Sequence, residues 1–458
     1  MQESNEARGG ERLRSISVGL GLLALVLVSA AGGAAIALSF DDEDSADGPT
    51  TTVVTEQASS TTTSSSTVPE TTIVDGPTTF EIDTEDRWYD AVATAEPGDV
   101  LLLTVTINSR LEYRGGDHNG RAIGASGTEA DPITITALPD VWIDPGNVSN
   151  NTAALDIRAV DFVIVDSVNV RGSQFGIRLI EVEGSERTPS GVINSTVTSI
   201  GHSAIAVQAD ANTLAPSSHI LIDDNNISET GLINPRFGEG VYIGIGSVER
   251  IYMDESHDVT VSGNRIFSVG AEAVDVKPGT RDIVIEDNML FDLAPIDGGA
   301  ISAHYASDPN PEPEELDRVI IRRNRIWNQN LDGVPGANDW AIWVGHGGVT
   351  IEDNLIWGLR DSPDTRAVRV RALADFGPHP IVIRNNIFWT SVGVVAEGEP
   401  SGAPNLLSDA NIGPTESTGT VAVEPSFFAG SVPAVGSGGD ADGGTGPGSA
   451  FDIAANEG

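Results

Sequence analysis

Val259-Thr-Val-Ser-Gly-Asn264-Arg-Ile266 alternates apolar and polar residues, breaks at an asparagine and resumes with an apolar residue. The same pattern, apolar-x-apolar-x-x-Asn-x-apolar, returns in Ile220 to Ile227, Ile283 to Leu290, Val319 to Ile326, Val349 to Ile356 and Ile381 to Phe388. Its asparagines are Asn225, Asn264, Asn288, Asn324, Asn354 and Asn386, spaced 39, 24, 36, 30 and 32 residues apart. A fixed local pattern with irregular spacing predicts the coils of one solenoid, with insertions confined to loops. Period-2 alternation of β-branched residues predicts strands rather than helices. Asparagines stacked at one turn can hydrogen-bond along the stack as an amide ladder, a device of the fold and not a site.

A second set of six segments aligns beside the first. It comprises Ser203 to Gln208, Glu239 to Gly244, Glu272 to Lys277, Gly299 to His304, Trp340 to Gly345 and Arg366 to Arg371. The third and fifth positions are aliphatic and should point inward, and the fourth and sixth outward, because strand side chains alternate. Rungs of a parallel sheet lie about 4.8 Å apart. The outward face then reads Tyr242, Asp275 with Lys277, Ser302 with His304, Trp343, and Arg369 with Arg371, flanked by Glu239, Glu272, Trp340 and Arg366. An ordinary solvated face would carry Thr, Ser and mixed charge.

Of the 25 basic residues, Lys277 is the one lysine. An ammonium can lose its proton when its surroundings lower its pKa, whereas a guanidinium cannot. Lys277 is therefore a candidate base. The bland alternative is an exposed salt bridge to Glu272 or Asp275 in an arginine-biased chain.

The chain has 458 residues, enough for one large solenoid domain with a short anchor. A formal net charge of -42 and a pI near 4.2 argue against nucleic-acid binding. Cysteine is absent, which excludes disulfides, thiolate metal sites and cysteine nucleophiles. Residues 16–40 form an uncharged run between Arg8, Arg12 and Arg14 on one side and Asp41 to Asp44 on the other. This predicts a cytoplasmic basic segment over 1–15, a membrane anchor or signal peptide over 16–40, and an extracytoplasmic remainder. Residues 41–79, rich in Ser and Thr, read as a flexible stalk, and 436–458, Gly-rich and acidic, as a disordered tail. Between them, residues 80–435 hold the solenoid. Asp83 or Thr84 can cap a short helix that presents Trp88, Ala91, Val92 and Ala95 on one face. Such a helix can cover the open end of a solenoid.

The segments Ala95-Glu-Pro-Gly-Asp-Val100, Gly127-Thr-Glu-Ala-Asp-Pro-Ile-Thr-Ile135, Gly238-Glu-Gly-Val-Tyr-Ile-Gly244 and Glu272-Ala-Val-Asp-Val-Lys-Pro-Gly-Thr280 carry a resemblance. Over roughly residues 80 to 430 the chain resembles secreted right-handed parallel β-helix proteins of the pectate-lyase-like superfamily. The resemblance implies an all-β fold, a right-handed parallel β-helix with an N-terminal capping helix. It also implies polysaccharide lyases that use calcium held by carboxylates and a lysine base. Carried over, Lys277 is the base, and Glu272 and Asp275 are the metal ligands for calcium, although the richer aspartate cluster of such lyases is absent. Relatives with this fold also include glycoside hydrolases, epimerases and noncatalytic surface proteins.

A lyase base must be neutral before it acts, and Asp275 and Glu272 work against that by stabilising the ammonium. A calcium ion between them would cancel that field and grip a uronate carboxylate. Arg366, Arg369 and Arg371 suit carboxylates on neighbouring sugars. Tyr242 and Glu239 line the same face, Trp340 and Trp343 are candidate stacking platforms, and His304 reads either as a second acid or base or as a plain polar outward residue. Paired carboxylates among Glu239, Glu272 and Asp275 also allow hydrolysis. The third class is a noncatalytic glycan-binding surface protein. The partner in every case is a polysaccharide met by a monomer, with the membrane touched by the N-terminal segment alone.

Overall fold

A computed structural model describes residues 76–422 with interruptions at 116–123, 151, 246–253, 294, 297, 304–317, 331–339, 346, 361–364, 372–380, 390–393, 398–405, 410 and 414–419. The anchor, most of the stalk, the C-terminal tail, His304 and the side chain of Arg371 lie outside the described residues. No helix among the described residues is long and apolar enough to cross a membrane.

Three parallel ladders make up the coils. The first runs from Thr79–Ile82 to Leu406–Asp409 and contains the asparagine-motif strands. The second runs from Leu111–Arg114 to Val394–Glu397 and contains the six aligned segments. Ser218 pairs with Glu183 and joins the two into a 22-stranded sheet. The third ladder is an 11-stranded sheet from Trp142–Ile143 to Thr420–Ala422. The coils wind right-handedly, the hand that parallel crossovers adopt because strands twist to the right.

The aligned register is the one expected from the repeats. Ala206, Tyr242, Asp275, Ser302, Trp343 and Arg369 pair successively across rungs. Their aliphatic neighbours Ile205, Val207, Val274, Val276, Ile342 and Val344 are all fully buried. Burying each contributes about 1.5–3 kcal/mol. Before each ladder asparagine sits a left-handed residue, Asp224, Gly263, Asp287, Arg323, Asp353 or Asn385, with φ between 52° and 64°. Gly, Asp and Asn tolerate that conformation best. The turn it makes aims each asparagine inward, and the amides form a continuous ladder. Nδ2 of Asn225, Asn264, Asn288, Asn324 and Asn354 donates to Oδ1 of the next at 2.9–3.0 Å.

Helix Glu85–Thr94 forms as expected, with Thr84 as N-cap accepting from Arg87 N. Trp88 packs edge-on to Tyr113 and donates Nε1 to Glu112 O at 3.0 Å. On the outward side of the third ladder, Phe267, Phe291, Trp327 and Trp357 stack with centroids 4.5–5.0 Å apart. Register alone places these rings, since identical strand positions meet on successive rungs.

Candidate active site on the second ladder

Strand Val274–Val276 places Asp275 outward, and the chain places Lys277 just beyond its end. Lys277 Nζ lies 2.6 Å from Asp275 Oδ2 and 5.2 Å from the Tyr242 ring centroid, one rung away. Glu239 and Glu272 begin consecutive aligned segments, so coil closure stacks them. One carboxylate oxygen from each of Glu239, Glu272 and Asp275 lies within 4.8 Å of the others. Ser302, one rung on, donates Oγ to Glu272 Oε1 at 3.2 Å and accepts from Gly299 N at 3.2 Å. Gly298 has φ +107°, which side-chain-bearing residues rarely adopt, and a Cβ there would sit 1.9 Å from Glu272 Oε1, so the glycine lets the chain pass close to this carboxyl.

The outward face is more enclosed than alternation alone implies. Glu239, Glu272 and Asp275 are 5%, 4% and 1% exposed. Burial pushes Glu239 up to about 8, with the charge of Asp275 adding to it. Burial and then Asp275 raise Glu272 well above the carboxylate range, opposed by Lys277. Burial also raises Asp275 against the pull of Lys277. For Lys277, burial favours the neutral amine, but Asp275, Tyr242 and Glu272 outweigh it and hold the ammonium.

This arrangement fits a divalent cation. Three ionised carboxylates and one ammonium leave two negative charges uncompensated, and Asp275 Oδ1 is buried without a hydrogen-bond partner. Hard oxygen donors of this kind suit calcium or magnesium. Without a metal the same charge is neutralised by protons. Glu239 is then protonated in the folded state and ionised in the unfolded one between pH 4.5 and 8. The unfolded chain binds fewer protons in that window, so stability falls as pH rises. Chelator-treated protein should lose about 3 kcal/mol of unfolding free energy between pH 5 and pH 8 from this group. Urea titrations at the two pH values check it, and a midpoint that rises with pH would contradict it.

Several sequence expectations are revised. Glu239, read as a substrate contact, belongs to the buried carboxyl group. Trp343, read as a stacking platform, is 7% exposed and forms part of the wall. Trp340 is half-buried, and the Arg369 guanidinium lies 4.0 Å from its ring centroid, occupying the face a sugar would use. Arg366 is half-buried and donates Nη1 to Thr365 O at 2.8 Å. A cavity of about 680 Å³ lies on the first ladder around His219, Asp258 and Arg318, away from these groups.

The sequence reading also missed three earlier members of the outward face. Strands Leu111–Arg114, Ala153–Asp161 and Phe175–Glu183 precede the six aligned segments in register. They bring Arg114, Arg158 and Arg178 onto Asp156. The signal was present in Leu111/Tyr113, Leu155/Ile157 and Ile177/Leu179, which repeat the inward pair.

No family model and no curated protein sequence matches this chain. Among solved structures it is similar to an alginate lyase from Paenibacillus sp. str. FPU-7, with 20% identity over 72% of this chain and 99% of that one and a TM-score of 0.53. It is also similar to a GH136 lacto-N-biosidase from Eubacterium ramulus, at 12% identity over 73% and 68% of the two chains, TM-score 0.43. Pectate lyase Pel9A aligns at 13% identity over 79% and 86%, TM-score 0.41. Three parallel ladders closed into coils, an asparagine stack at one turn and the likeness in shape to the Paenibacillus alginate lyase establish the fold of the chain as a right-handed parallel β-helix.

Proposed function

We propose that the protein is an exported polysaccharide lyase that cleaves a uronate-containing glycan by β-elimination, with Lys277 as base. The observation that carries this reading is the Lys277–Asp275 pair at 2.6 Å beside Tyr242, set over two buried glutamates on the outward ladder. The likeness to an alginate lyase is in keeping with a uronate polymer as substrate.

In the reaction Lys277 Nζ takes the C5 proton. The C5–H electrons form the C4=C5 double bond, and the C4–O bond breaks toward the linking oxygen. Tyr242, whose phenol neighbours the same amine, delivers a proton to that oxygen. Proton return from the ammonium to the phenolate restores the site. The amine must start neutral, and its contact with Asp275 opposes this. Glu239, Glu272 and Asp275 would hold a divalent cation, which when bound supplies positive field against the uronate carboxylate and weakens the grip of Asp275 on the ammonium. Arg369 and Arg366 lie further along the ladder, where neighbouring uronates would pass.

Hydrolysis by paired carboxylates fits less well. It needs carboxyl groups about 5–9.5 Å apart flanking a sugar. Here the nearest oxygens are within 4.8 Å of one another and almost fully buried.

Incubation with polymannuronate, polyguluronate and polygalacturonate, with and without calcium, tests the reading through ultraviolet absorbance of the unsaturated product. Absorbance should rise on at least one polymer, and Asp275→Asn should lower both the rate and the calcium dependence. New reducing ends without absorbance would establish a hydrolase instead. Neither product would leave a glycan-binding protein.

A further inference from the structure

The outward face carries a second charged cluster on the coils before Tyr242. Glu112, Asp156, Arg178, Ala206, Tyr242 and Asp275 occupy one column, rung by rung. Asp156, 4% exposed, accepts from Arg158 Nε at 2.9 Å, from Arg178 Nη2 at 2.9 Å and from Arg114 Nη2 at 3.4 Å. Glu112 offsets Arg114 at 3.2 Å, and Asp210 lies 3.7 Å from Arg158. Among the described residues, Asp156 is the one carboxylate that pairs with Arg178. The Nε atoms of Arg114 and Arg178 are buried and lack hydrogen-bond partners. Burial opposes the charge on Arg178, Asp156 supports it, and Arg158 and Arg114 oppose it further. A buried carboxylate holds three guanidinium forks in place, and the Arg114, Arg158 and Arg178 side chains keep 21%, 25% and 20% of their surface exposed, so pre-organised N–H groups other than these Nε atoms face the ladder surface where an anion can meet them.

Position sharpens the point. Arg178 lies three rungs from Asp275 on one side, and Arg369 three rungs on the other. At about 4.8 Å per rung each is about 14 Å from the reacting centre. An extended chain lying along the ladder with its cleaved bond at Lys277 passes both.

We propose that Arg114, Arg158 and Arg178, oriented by Asp156, form a distal subsite for a carboxylate of an extended polyuronate, so that the protein selects long chains over short ones. This inference rests on the reading of the second ladder as a uronate-glycan site. The bidentate geometry of arginine matches carboxylate, and a fork already held in place loses little freedom on binding.

The experiment measures calorimetric binding of a uronate trimer and octamer, of whichever polymer the wild type cleaves, to the full chain and to Arg178→Gln. The wild type should bind the octamer much more tightly than the trimer. R178Q should lose at least about tenfold in octamer affinity, lose less for the trimer, and show weaker salt dependence on the octamer. Arg158→Gln should act the same way and serves if R178Q does not fold, as judged by circular dichroism and Tm. An octamer advantage that survives in both variants, or equal losses on trimer and octamer, overturns the subsite while leaving the lyase reading intact. A wild type that neither binds nor cleaves any uronate overturns both.

Discussion

Replacing Lys277 with arginine should lower turnover on the cleaved uronate polymer by a factor of at least about 10². The substitution keeps the positive charge and a partner for Asp275, 2.6 Å away in the wild type. It removes an amine that can give up its proton once a cation offsets Asp275, because a guanidinium stays protonated. Glycan affinity should change much less, since the charge that meets the substrate persists. A plain salt-bridge role would be served by either cation, so full activity in K277R would return Lys277 to that role. The measurement is initial absorbance rate at saturating polymer, beside calorimetric affinity for the same polymer. A fall in affinity that matches the fall in rate would indicate misplacement of substrate rather than loss of a base.

The second large effect is on stability. Asn264 is fully buried, and its Oδ1 accepts from both N and Nδ2 of Asn225 at 3.0 Å. Its Nδ2 donates to Ile222 O at 2.8 Å and to Asn288 Oδ1 at 3.0 Å. In Asn264→Ala the Asn225 N–H and the Ile222 carbonyl lose these partners in a dry interior. Each such orphan costs about 1–3 kcal/mol, so the variant should be about 3–5 kcal/mol less stable by urea unfolding. Asn226, next to a ladder residue but exposed, supplies the contrast. Asn226→Ala should shift stability by less than about 0.5 kcal/mol. Similar losses for the two variants would mean that the stacked amides contribute no more than an exposed asparagine does.

The contrast between buried Asn264 and exposed Asn226 is already legible in the sequence. Inward and outward assignment is a local property of a strand, set by alternation. The asparagine motif therefore located the turns, and the six aligned segments located the inward aliphatics and the rung order from Tyr242 to Arg369, all of which the ladders reproduce. The helix cap at Thr84 was legible for the same reason, since it depends on residues three apart. The alignment began too late at Ser203, and so left out Arg114, Arg158 and Arg178, although their strands carry the same apolar pair.

Other features needed the closed coils. Whether Glu239, Glu272 and Asp275 share one space depends on how segments about 35 residues apart stack, and on Gly298 approaching Glu272 where a side chain would collide. Arg369 covers Trp340 because neighbouring rungs hold them together, which no residue pattern states. Burial decides the rest. The same carboxyl that titrates near 4.5 in an open chain rises to about 8 at Glu239, because removal from water penalises its charge. The sequence by itself determined the solenoid, its register and the lone amine on its charged face, because these follow from the two-residue period of a strand. Only the tertiary structure decided which charges meet, how dry they are and which proton each one keeps, because those depend on distance and dielectric across coils rather than on order along the chain.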